Sequence, residues 1–472
     1  MAALRKVLVV IGTTGAGKTK LSVDLAKAVG GEIVNSDAMQ MYRGLDIATA
    51  KITEAEKEGV PHHLFDIVDP SSRCDVLEFK RLALAAVDDI LARGKVPIIV
   101  GGTMYYTQSI LWKSQLLDDV PANVNAAQRP LEVQTASASA IRYVQENLTP
   151  EEMFAKLQEV DPAMARRLHV NNVRKVQRSL QVFYQTGVPH SEHLARQERE
   201  QSNREKYFDA CAFWVNASKP VLAERLEQRV DKMLASGLVD EIRGLRQHVR
   251  DHPPRLNPDA PDEDDDASVG ILQAIGYKEF QPYFDAVERE SSDDERPGDL
   301  DTVLKECVEQ LNVATRQYAR RQLSWIRNKF VTKNIPVYQV DSSNVAEWDA
   351  RVARPSIEIA TSFLAGRTVT NYKTVQEELP ETAQERTLED KFVENVCDIC
   401  GDRKFLGTKQ WQDHLRSKGH KYHIKRIELE KNGDPRRQKS SRQQTALPVA
   451  AEDSETTEVN ESASKRARTD DS

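Results

Sequence analysis

The chain has 472 residues and carries 66 Lys and Arg against 73 Asp and Glu, which gives a formal net charge of −7. Its mean hydropathy is −0.57, and no apolar run approaches the roughly 18 residues that a membrane helix needs, so we expect no membrane-spanning helix. The length allows two to four domains, and the charge is spread unevenly along the chain.

The first strand pattern begins by residue 7, so we expect no signal or transit peptide and no secretion. It opens the segment VLVVIGTTGAGKTKLSVDLA, which is typical of a buried strand, a glycine-rich phosphate-binding loop (P-loop) and a helix. In such a loop the backbone N–H groups point at phosphate oxygens, a lysine neutralises charge, and a hydroxyl can bind Mg²⁺. The predicted diphosphate-binding residues are Gly12, Thr13, Thr14, Gly15, Ala16, Gly17, Lys18 and Thr19, with Thr19 as the magnesium ligand.

Strand and helix patterns alternate in the first part of the chain, and runs such as VPIIV are apolar throughout, as in parallel strands buried on both faces. The sequence therefore predicts an α/β fold with a P-loop NTPase-like parallel sheet core. A basic helical stretch interrupts the core, with nine Lys and Arg against four Asp and Glu over residues 166–206. The predicted regions are the first part of the core (1–115), a helical insertion (116–205), the second part of the core with a basic helix (206–350), a linker (351–390), a Cys/His zinc finger (391–428) and a disordered tail (429–472).

Two polar residues follow neighbouring strands of the predicted sheet. Asp37 comes after EIVN, and Thr103 follows VPIIVGG, where P-loop hydrolases usually carry an aspartate. The carboxyl ends of parallel strands meet at one crevice, so Asp37, Thr103 and the P-loop should converge there. The alternative roles of Asp37 are to cap a helix or to be a carboxylate in the shell around magnesium. The alternative role of Thr103 is simply to cap a helix.

The carboxy-terminal module contains Cys397, Cys400, His414 and His420 in a C-x2-C-x13-H-x5-H arrangement. Two thiolates and two imidazoles make a closed tetrahedral site, so we expect structural Zn²⁺. Residues 403–439 hold twelve Lys and Arg against four Asp and Glu, which favours a nucleic-acid backbone as partner. A protein-binding finger is the alternative.

Seven segments follow one another in an order that resembles the tRNA dimethylallyltransferase family, also called tRNA isopentenyltransferases, in its eukaryotic form with a finger. They are GTTGAGKTKLSVDLA, VNSDAMQMYRGLDIATAK, PHHLFDIVDP, VGGTMYY, RVDKMLASGLVDEI, AIGYKEF and TRQYARRQLSWIR. The resemblance spans residues 7–330. It implies transfer of a dimethylallyl group from dimethylallyl diphosphate to the exocyclic amine of the adenine 3′-adjacent to the anticodon of certain tRNAs, with diphosphate as the leaving group.

The resemblance also implies roles for individual residues. Asp37 would be the general base, and Thr103 would contact diphosphate and acceptor. Arg229 would clamp the diphosphate, with Arg225 as the alternate residue for this role. The alternative role for both arginines is ion pairing at the surface. Lys18 and Mg²⁺ at Thr19 would stabilise the leaving group. We expect Tyr318 and Trp325 to pack in the core. The predicted tRNA-binding residues are Ala38, Met39, Gln40, Asn171, Asn172, Arg174, Arg178, Arg316, Arg320 and Arg327.

Three other functions compete with this hypothesis. A P-loop small-molecule kinase would not need the finger, a prenyltransferase acting on free adenine nucleotides would not need the basic insertion, and an RNA-binding finger protein would not need Lys18, Asp37 and Thr103. We expect a monomer that binds the tRNA anticodon stem-loop and no membrane. Eukaryotic family members divide among cytosol, nucleus and mitochondria, and we expect the cytosol or nucleus here, unless a longer form with a transit peptide exists.

Overall fold

The computed structural model describes residues 4–72, 74–113, 148–199, 205–252, 270–290, 299–331, 334–378, 394–401, 403–406 and 408–431. The chain forms two compact units, Met1–Arg386 and Thr387–Ser472. Within the described residues, no helix is both long and apolar enough to cross a membrane. The tail predicted from residue 429 lies almost entirely outside the described residues.

A six-stranded parallel sheet forms the centre of the first unit, in the order β3-β2-β4-β1-β5-β6. Its register is set by pairs such as Leu8 with Ile98 and Leu8 with Cys211. The central strand is inaccessible to solvent over Val7–Ile11, because helices cover both faces of the sheet, and this explains its unbroken apolar sequence. The strands are β1 (Lys6–Gly12), β2 (Gly31–Asn35), β3 (His62–His63), β4 (Val96–Gly101), β5 (Asp209–Asn216) and β6 (Val337–Asp341).

Alternate residues of β1 contribute to two separate cores. Val7 and Val9 join a cluster with Phe79 of the helix after β3, whereas Leu8 and Val10 face the other way and join a cluster with Leu21 of the helix after the P-loop. This alternation follows from the two-residue period of a strand. The α-helices around the sheet span Lys18–Val29, Glu54–Lys57, Val76–Ala92, Met104–Leu111, Lys219–Ala235, Leu238–Asp251, Gln281–Glu290 and Leu300–Trp325, with short 3₁₀ segments at Met39–Met41 and Gly270–Gln273 and a π-helical extension at Ile326–Phe330.

A helical segment is inserted between β4 and β5. Trp112 and Lys206, on either side of it, form an antiparallel bridge, so the chain leaves and re-enters the core at one place. Its described helices span Pro150–Val160, Pro162–Ala165, Val173–Thr186 and His190–Arg199. They enclose a small core that includes Met153, Leu157 and Leu180.

The structure after β6 does not agree with the prediction that the core ends at residue 350 and that a linker spans residues 351–390. A 3₁₀ turn (Val345–Glu347), a π-helical turn (Asp349–Ala353) and helices at Arg354–Leu364 and Val375–Glu378 continue the core. Val352, Ile359 and Ala360 are buried in the same cluster as the P-loop helix. The linker prediction is therefore wrong for this part. Its apolar residues recur at helical spacing, which indicates a packed helix.

The second unit contains an antiparallel pair, β7 (Glu394–Cys397) with β8 (Arg403–Leu406), and helices at Thr408–Arg416 and Lys418–Lys431. A turn holding Cys400 joins the two strands. This is the small α/β arrangement expected of a zinc finger.

Candidate active site

A large crevice opens at the carboxyl ends of β1, β2 and β4, where parallel sheets bind ligands. Its cavity has a volume of about 1480 Å³ and is lined by the P-loop, Asp37, Thr103 and Arg229, among other residues. A site for one small molecule usually measures roughly 300–1000 Å³. The crevice therefore has room for two substrates at once.

The P-loop presents one side to this crevice. Thr14, Gly15, Gly17, Lys18 and Thr19 line it, while Gly12, Thr13 and Ala16 form the wall behind, with Thr13 and Ala16 buried. Gly17 has a φ of 98°, and a Cβ there would lie 2.9 Å from the Trp348 ring, so this position requires glycine.

The helix that follows the P-loop starts at Lys18, and no side chain caps it. Its amino terminus therefore presents backbone N–H groups and a positive dipole to an anion. Lys18 donates from Nζ to the Thr13 carbonyl oxygen at 3.0 Å. Burial lowers the pKa of Lys18 to about 8, and the neighbouring Asp37 opposes that shift. An arriving diphosphate would favour the protonated lysine further.

Asp37 is held in place by the side chain of Asn35 and by the backbone of its own turn. Its N–H donates to Asn35 Oδ1 at 2.8 Å, Asn35 Nδ2 donates to the Asp37 carbonyl oxygen at 3.0 Å, and the Met39 N–H donates to Asp37 Oδ1 at 3.1 Å. Burial raises the pKa of Asp37, although the Met39 N–H and the charges of Lys18 and Arg229 oppose it. The carboxylate thus caps a short turn and still lines the crevice as a proton acceptor of increased basicity.

Thr103 begins the helix Met104–Leu111, but its side chain does not cap that helix, so the simple-cap alternative does not hold. The Thr103 side chain instead lies close enough to the Tyr318 hydroxyl to oppose the rise that burial causes in the pKa of Tyr318. Immediately before it, a Cβ on Gly102 would lie 2.3 Å from Gln322 Nε2 and 3.5 Å from Asp37 Oδ2. The Gly101-Gly102-Thr103 turn, hereafter the GGT turn, is therefore packed against both Asp37 and the helix Leu300–Trp325.

This helix, hereafter the crevice helix, contributes residues that the sequence analysis missed. Thr315, Tyr318, Arg321 and Gln322 line the cavity. The prediction that Tyr318 packs in the core is therefore wrong, and burial together with the Asp37 charge raises its pKa. The helical spacing of positions 311, 315, 318 and 322 (i, i+4, i+7, i+11), which places them on one face of the helix, was the available signal.

The three arginines predicted to bind RNA on the crevice helix and its extension do not line the cavity. Arg316 pairs with Glu309 at 3.0 Å and with Glu227 at 3.7 Å. Arg320 and Arg327 are exposed. Trp325 packs against the main core cluster, as predicted.

Two arginines share one face of the helix Lys219–Ala235, but only Arg229 lines the crevice. Burial lowers the pKa of Arg229, and the Asp37 carboxylate opposes the shift. Arg225, one turn earlier, donates from Nη2 to the Ser342 carbonyl oxygen at 2.6 Å. Ser342 Oγ in turn donates to the Ala16 carbonyl oxygen at 2.8 Å. Arg225 therefore braces the P-loop from behind.

The other predicted tRNA-binding residues fall into two groups. Ala38, Met39, Gln40 and Arg174 line the crevice, and Gln40 Nε2 is fixed by the Thr49 carbonyl oxygen at 3.0 Å. Three other predicted residues are exposed on the same helical insertion as Arg174 but do not line the crevice. They are Asn171, Asn172 and Arg178.

The loop that holds Gln40 has an unusual backbone. Leu45 and Ala50 have φ values of 50° and 46°, a conformation that costs non-glycine residues energy and often occurs at functional sites. Lys51 stabilises it by donating from Nζ to the Tyr42 carbonyl oxygen at 2.6 Å, and it also contacts Asp66. This loop forms one wall of the crevice.

The second unit brings the four predicted zinc ligands together. The ligand atoms of Cys397, Cys400, His414 and His420 all lie within 4.8 Å of one another. Both thiol sulfurs lie 3.4 Å from His420 Nδ1. Metal–ligand bonds of roughly 2.0–2.3 Å in a tetrahedron require similar separations. The cluster is compatible with a closed, structural zinc site.

Comparison with known proteins finds two matching family models and similar chains of known activity. A family model described as IPP transferase matches residues 40–329, and one described as isopentenyl transferase matches residues 5–66. The chain is 36% identical over 430 residues to the tRNA dimethylallyltransferase of Mus musculus, with 89% of this chain and 86% of the relative covered. It is 32% identical over 448 residues to that of Schizosaccharomyces pombe, with 90% and 96% covered.

A solved structure is also similar. It is a eukaryotic dimethylallyltransferase acting on tRNA, and it is 30% identical with a TM-score of 0.69. The match covers 91% of this chain and 98% of the solved chain. The similarity thus extends beyond the residues that the two family models match.

Proposed function

The chain belongs to the IPP transferase family and is a tRNA-modifying transferase, and we propose that it transfers a dimethylallyl group from dimethylallyl diphosphate to the exocyclic amine of the adenine 3′-adjacent to the anticodon. The observation that carries this proposal is the convergence of the P-loop, Asp37, Thr103 and Arg229 on one two-substrate crevice. A phosphate loop and a basic carboxylate in one cavity suit a reaction with a diphosphate leaving group and a proton-bearing nucleophile.

The donor diphosphate binds at the P-loop and the first turn of its helix. As the allylic carbon–oxygen bond breaks, the electron pair stays on the diphosphate, and Lys18, Arg229 and backbone N–H groups stabilise the added charge. The Thr19 hydroxyl lines the crevice beside Lys18 and is of the type that holds Mg²⁺ in P-loops. When bound there, Mg²⁺ would supply further positive charge to the leaving group.

Asp37 accepts the proton from the adenine amine as the new carbon–nitrogen bond forms. Its raised pKa supports this role, because a more basic carboxylate is a better acceptor. Thr103 contacts the donor and acceptor from the carboxyl end of β4, where its side chain lies beside Tyr318. Arg225, which braces Ser342, supports the P-loop from outside the crevice.

The tRNA enters where Arg174 and Gln40 line the cavity. An enzyme that reacts with a base in a loop must extract that base into its pocket. Ala38, Met39 and Gln40 contact the extracted base. The anticodon stem-loop is held by the exposed Asn171, Asn172 and Arg178 of the insertion. The exposed Arg320 and Arg327 contact the phosphate backbone of the tRNA. The basic charge of the finger suits the same partner.

We place the activity in a monomer of the cytosol or nucleus. The short basic cluster KRAR at 465–468 supports a nuclear fraction. Sedimentation of the purified chain with and without tRNA tests the monomer, and imaging of a tagged chain tests the compartment.

The experiment crosses two donors with two acceptors. Dimethylallyl diphosphate labelled in the prenyl group and ATP labelled in the γ-phosphate are each incubated with an anticodon stem-loop RNA or with AMP. We expect label transfer only from dimethylallyl diphosphate to the RNA, and none to an RNA whose adenine next to the anticodon is replaced by guanine. Transfer to AMP would identify a free-nucleotide prenyltransferase, and transfer from ATP would identify a kinase.

A further inference from the structure

Gln322 links two loops that are distant in sequence. It lies on the crevice helix, with 4% of its surface exposed. Its Oε1 accepts from the Thr14 N–H at 2.8 Å, and its Nε2 donates to the Gly102 carbonyl oxygen at 3.0 Å. Because one partner is a donor and the other an acceptor, the amide has one orientation that satisfies both.

The neighbouring contacts leave little freedom for this arrangement. The Tyr318 side chain, one helical turn before Gln322, lies close enough to both Gln322 and Thr103 for these two to influence its pKa. The Gly102 position would bring any Cβ to 2.3 Å from Gln322 Nε2, so the turn has no space to shift toward the helix. The P-loop, the crevice helix and the GGT turn are thus joined by consecutive hydrogen bonds.

We propose that Gln322 is a positioning residue for the transfer reaction, which sets the P-loop relative to the GGT turn and thereby couples donor binding to the orientation of Thr103. This rests on the proposed function, because it assigns the two loops to donor and acceptor. Gln322 acts through Thr14 and Gly102, because its amide oxygen and amide nitrogen are engaged by the backbone of these two residues. A single amide holds both loops because it donates on one side and accepts on the other.

Two substitutions of Gln322 change its hydrogen bonds while keeping the length of its side chain. Gln322→Met keeps the side-chain length but leaves the part-buried Thr14 N–H and the buried Gly102 carbonyl oxygen without their partner. Leaving one buried polar group unpaired typically changes an equilibrium constant by roughly 5- to 150-fold. We expect kcat to fall about tenfold or more. Gln322→Glu still accepts from Thr14 but repels the Gly102 oxygen and adds negative charge beside the diphosphate site, so we expect a raised KM for the donor as well as a lowered kcat.

Gln108→Met is the matched control. Gln108 is also buried, with 1% of its surface exposed, and its Nε2 donates to a backbone carbonyl, that of Lys329, at 3.0 Å. It does not line the crevice. We expect a loss of melting temperature similar to that of Gln322→Met, but unchanged kcat and donor KM. An equal kinetic defect in both variants would mean that general destabilisation, not positioning, causes the effect.

A double-mutant cycle tests whether Gln322 acts through the GGT turn. Single-turnover transfer is measured for Gln322→Met, Thr103→Ala and the double variant. If Gln322 positions Thr103, the double variant should be slower than Thr103→Ala by about threefold at most, because the orienting interaction has already lost its target. Multiplicative effects, or a wild-type rate in Gln322→Met, would overturn the inference. The wild-type chain is assayed first, so a failure of the proposed function is recognised separately.

Discussion

Asp37→Asn tests the assignment of the general base with little change in structure. The asparagine Oδ1 can still accept the hydrogen bond that the Met39 N–H donates to the Asp37 carboxylate at 3.1 Å. The two hydrogen bonds between Asp37 and the Asn35 side chain involve only the backbone of Asp37. The turn should therefore keep its conformation. What is lost is the proton acceptor and one negative charge beside Lys18 and Arg229.

The expected magnitude follows from that loss. General base catalysis contributes typically about 10²–10⁴ in rate, which corresponds to roughly 3–5 kcal/mol of activation free energy. We expect the single-turnover rate to fall by at least about 10²-fold. Donor affinity should stay near that of the wild type or tighten, because a negative charge has been removed near the diphosphate.

The pH dependence provides an independent readout. Asp37 must be ionised to accept a proton, so the wild-type rate should rise with pH through a pKa displaced above the ordinary carboxylate value. The Asn variant should lack this acid limb. The assay is single-turnover transfer of labelled dimethylallyl to an anticodon stem-loop across a pH series.

Asp299→Asn is a suitable control for this assay. Asp299 caps the amino terminus of the crevice helix by accepting from the Thr302 N–H, and asparagine caps a helix equally well. It should transfer at the wild-type rate. An Asp37→Asn variant within about threefold of wild type, or one that retains the acid limb, would refute the assignment of Asp37 as the base.

Three further predictions concern other parts of the chain. Lys18→Ala should weaken donor binding in calorimetry and slow single-turnover transfer, because both the bound diphosphate and the leaving group carry the charge it neutralises; a variant unchanged in both would contradict the P-loop assignment. The hydrogen bond from Arg93, aided by His63, lowers the pKa of Glu32 to about 2, so Glu32→Gln should lower the free energy of unfolding by about 2 kcal/mol at pH 7. Because the folded pKa is lowered, that difference should persist above about pH 4.5 and vanish as the pH falls toward 2, and urea denaturation at both extremes checks it. Replacing Cys397 and Cys400 with Ser should abolish zinc in elemental analysis and make the salt dependence of tRNA binding shallower, with unchanged donor affinity; an unchanged salt slope would mean that the finger does not contact the tRNA backbone.

Features that depend on neighbouring residues were predictable from the sequence. The P-loop and its helix depend on the spacing of glycines, lysine and threonine within one segment, and the Cys/His cluster depends on the spacing of two Cys and two His. The structure contains both as local features, and the cluster is compatible with zinc. The parallel sheet followed from short runs that are apolar throughout, such as VPIIV. The convergence of Asp37 and Thr103 followed from the rule that strand ends share an edge.

The interactions that complete the crevice were decided by tertiary packing. Arg225 and Arg229 lie on the same helical face, and four residues of helix correspond to about 6 Å along its axis. That distance separates the crevice from the back of the P-loop, so only the packing of the helix determines which arginine lines the cavity. Gln322 bonds to the Thr14 N–H from 308 positions away in the chain, a contact to which no local pattern points. The sequence by itself thus determined the P-loop and the Cys/His cluster, because both are built from residues close in the chain, whereas the relative placement of the residues that line the crevice was decided by how distant helices pack against the sheet.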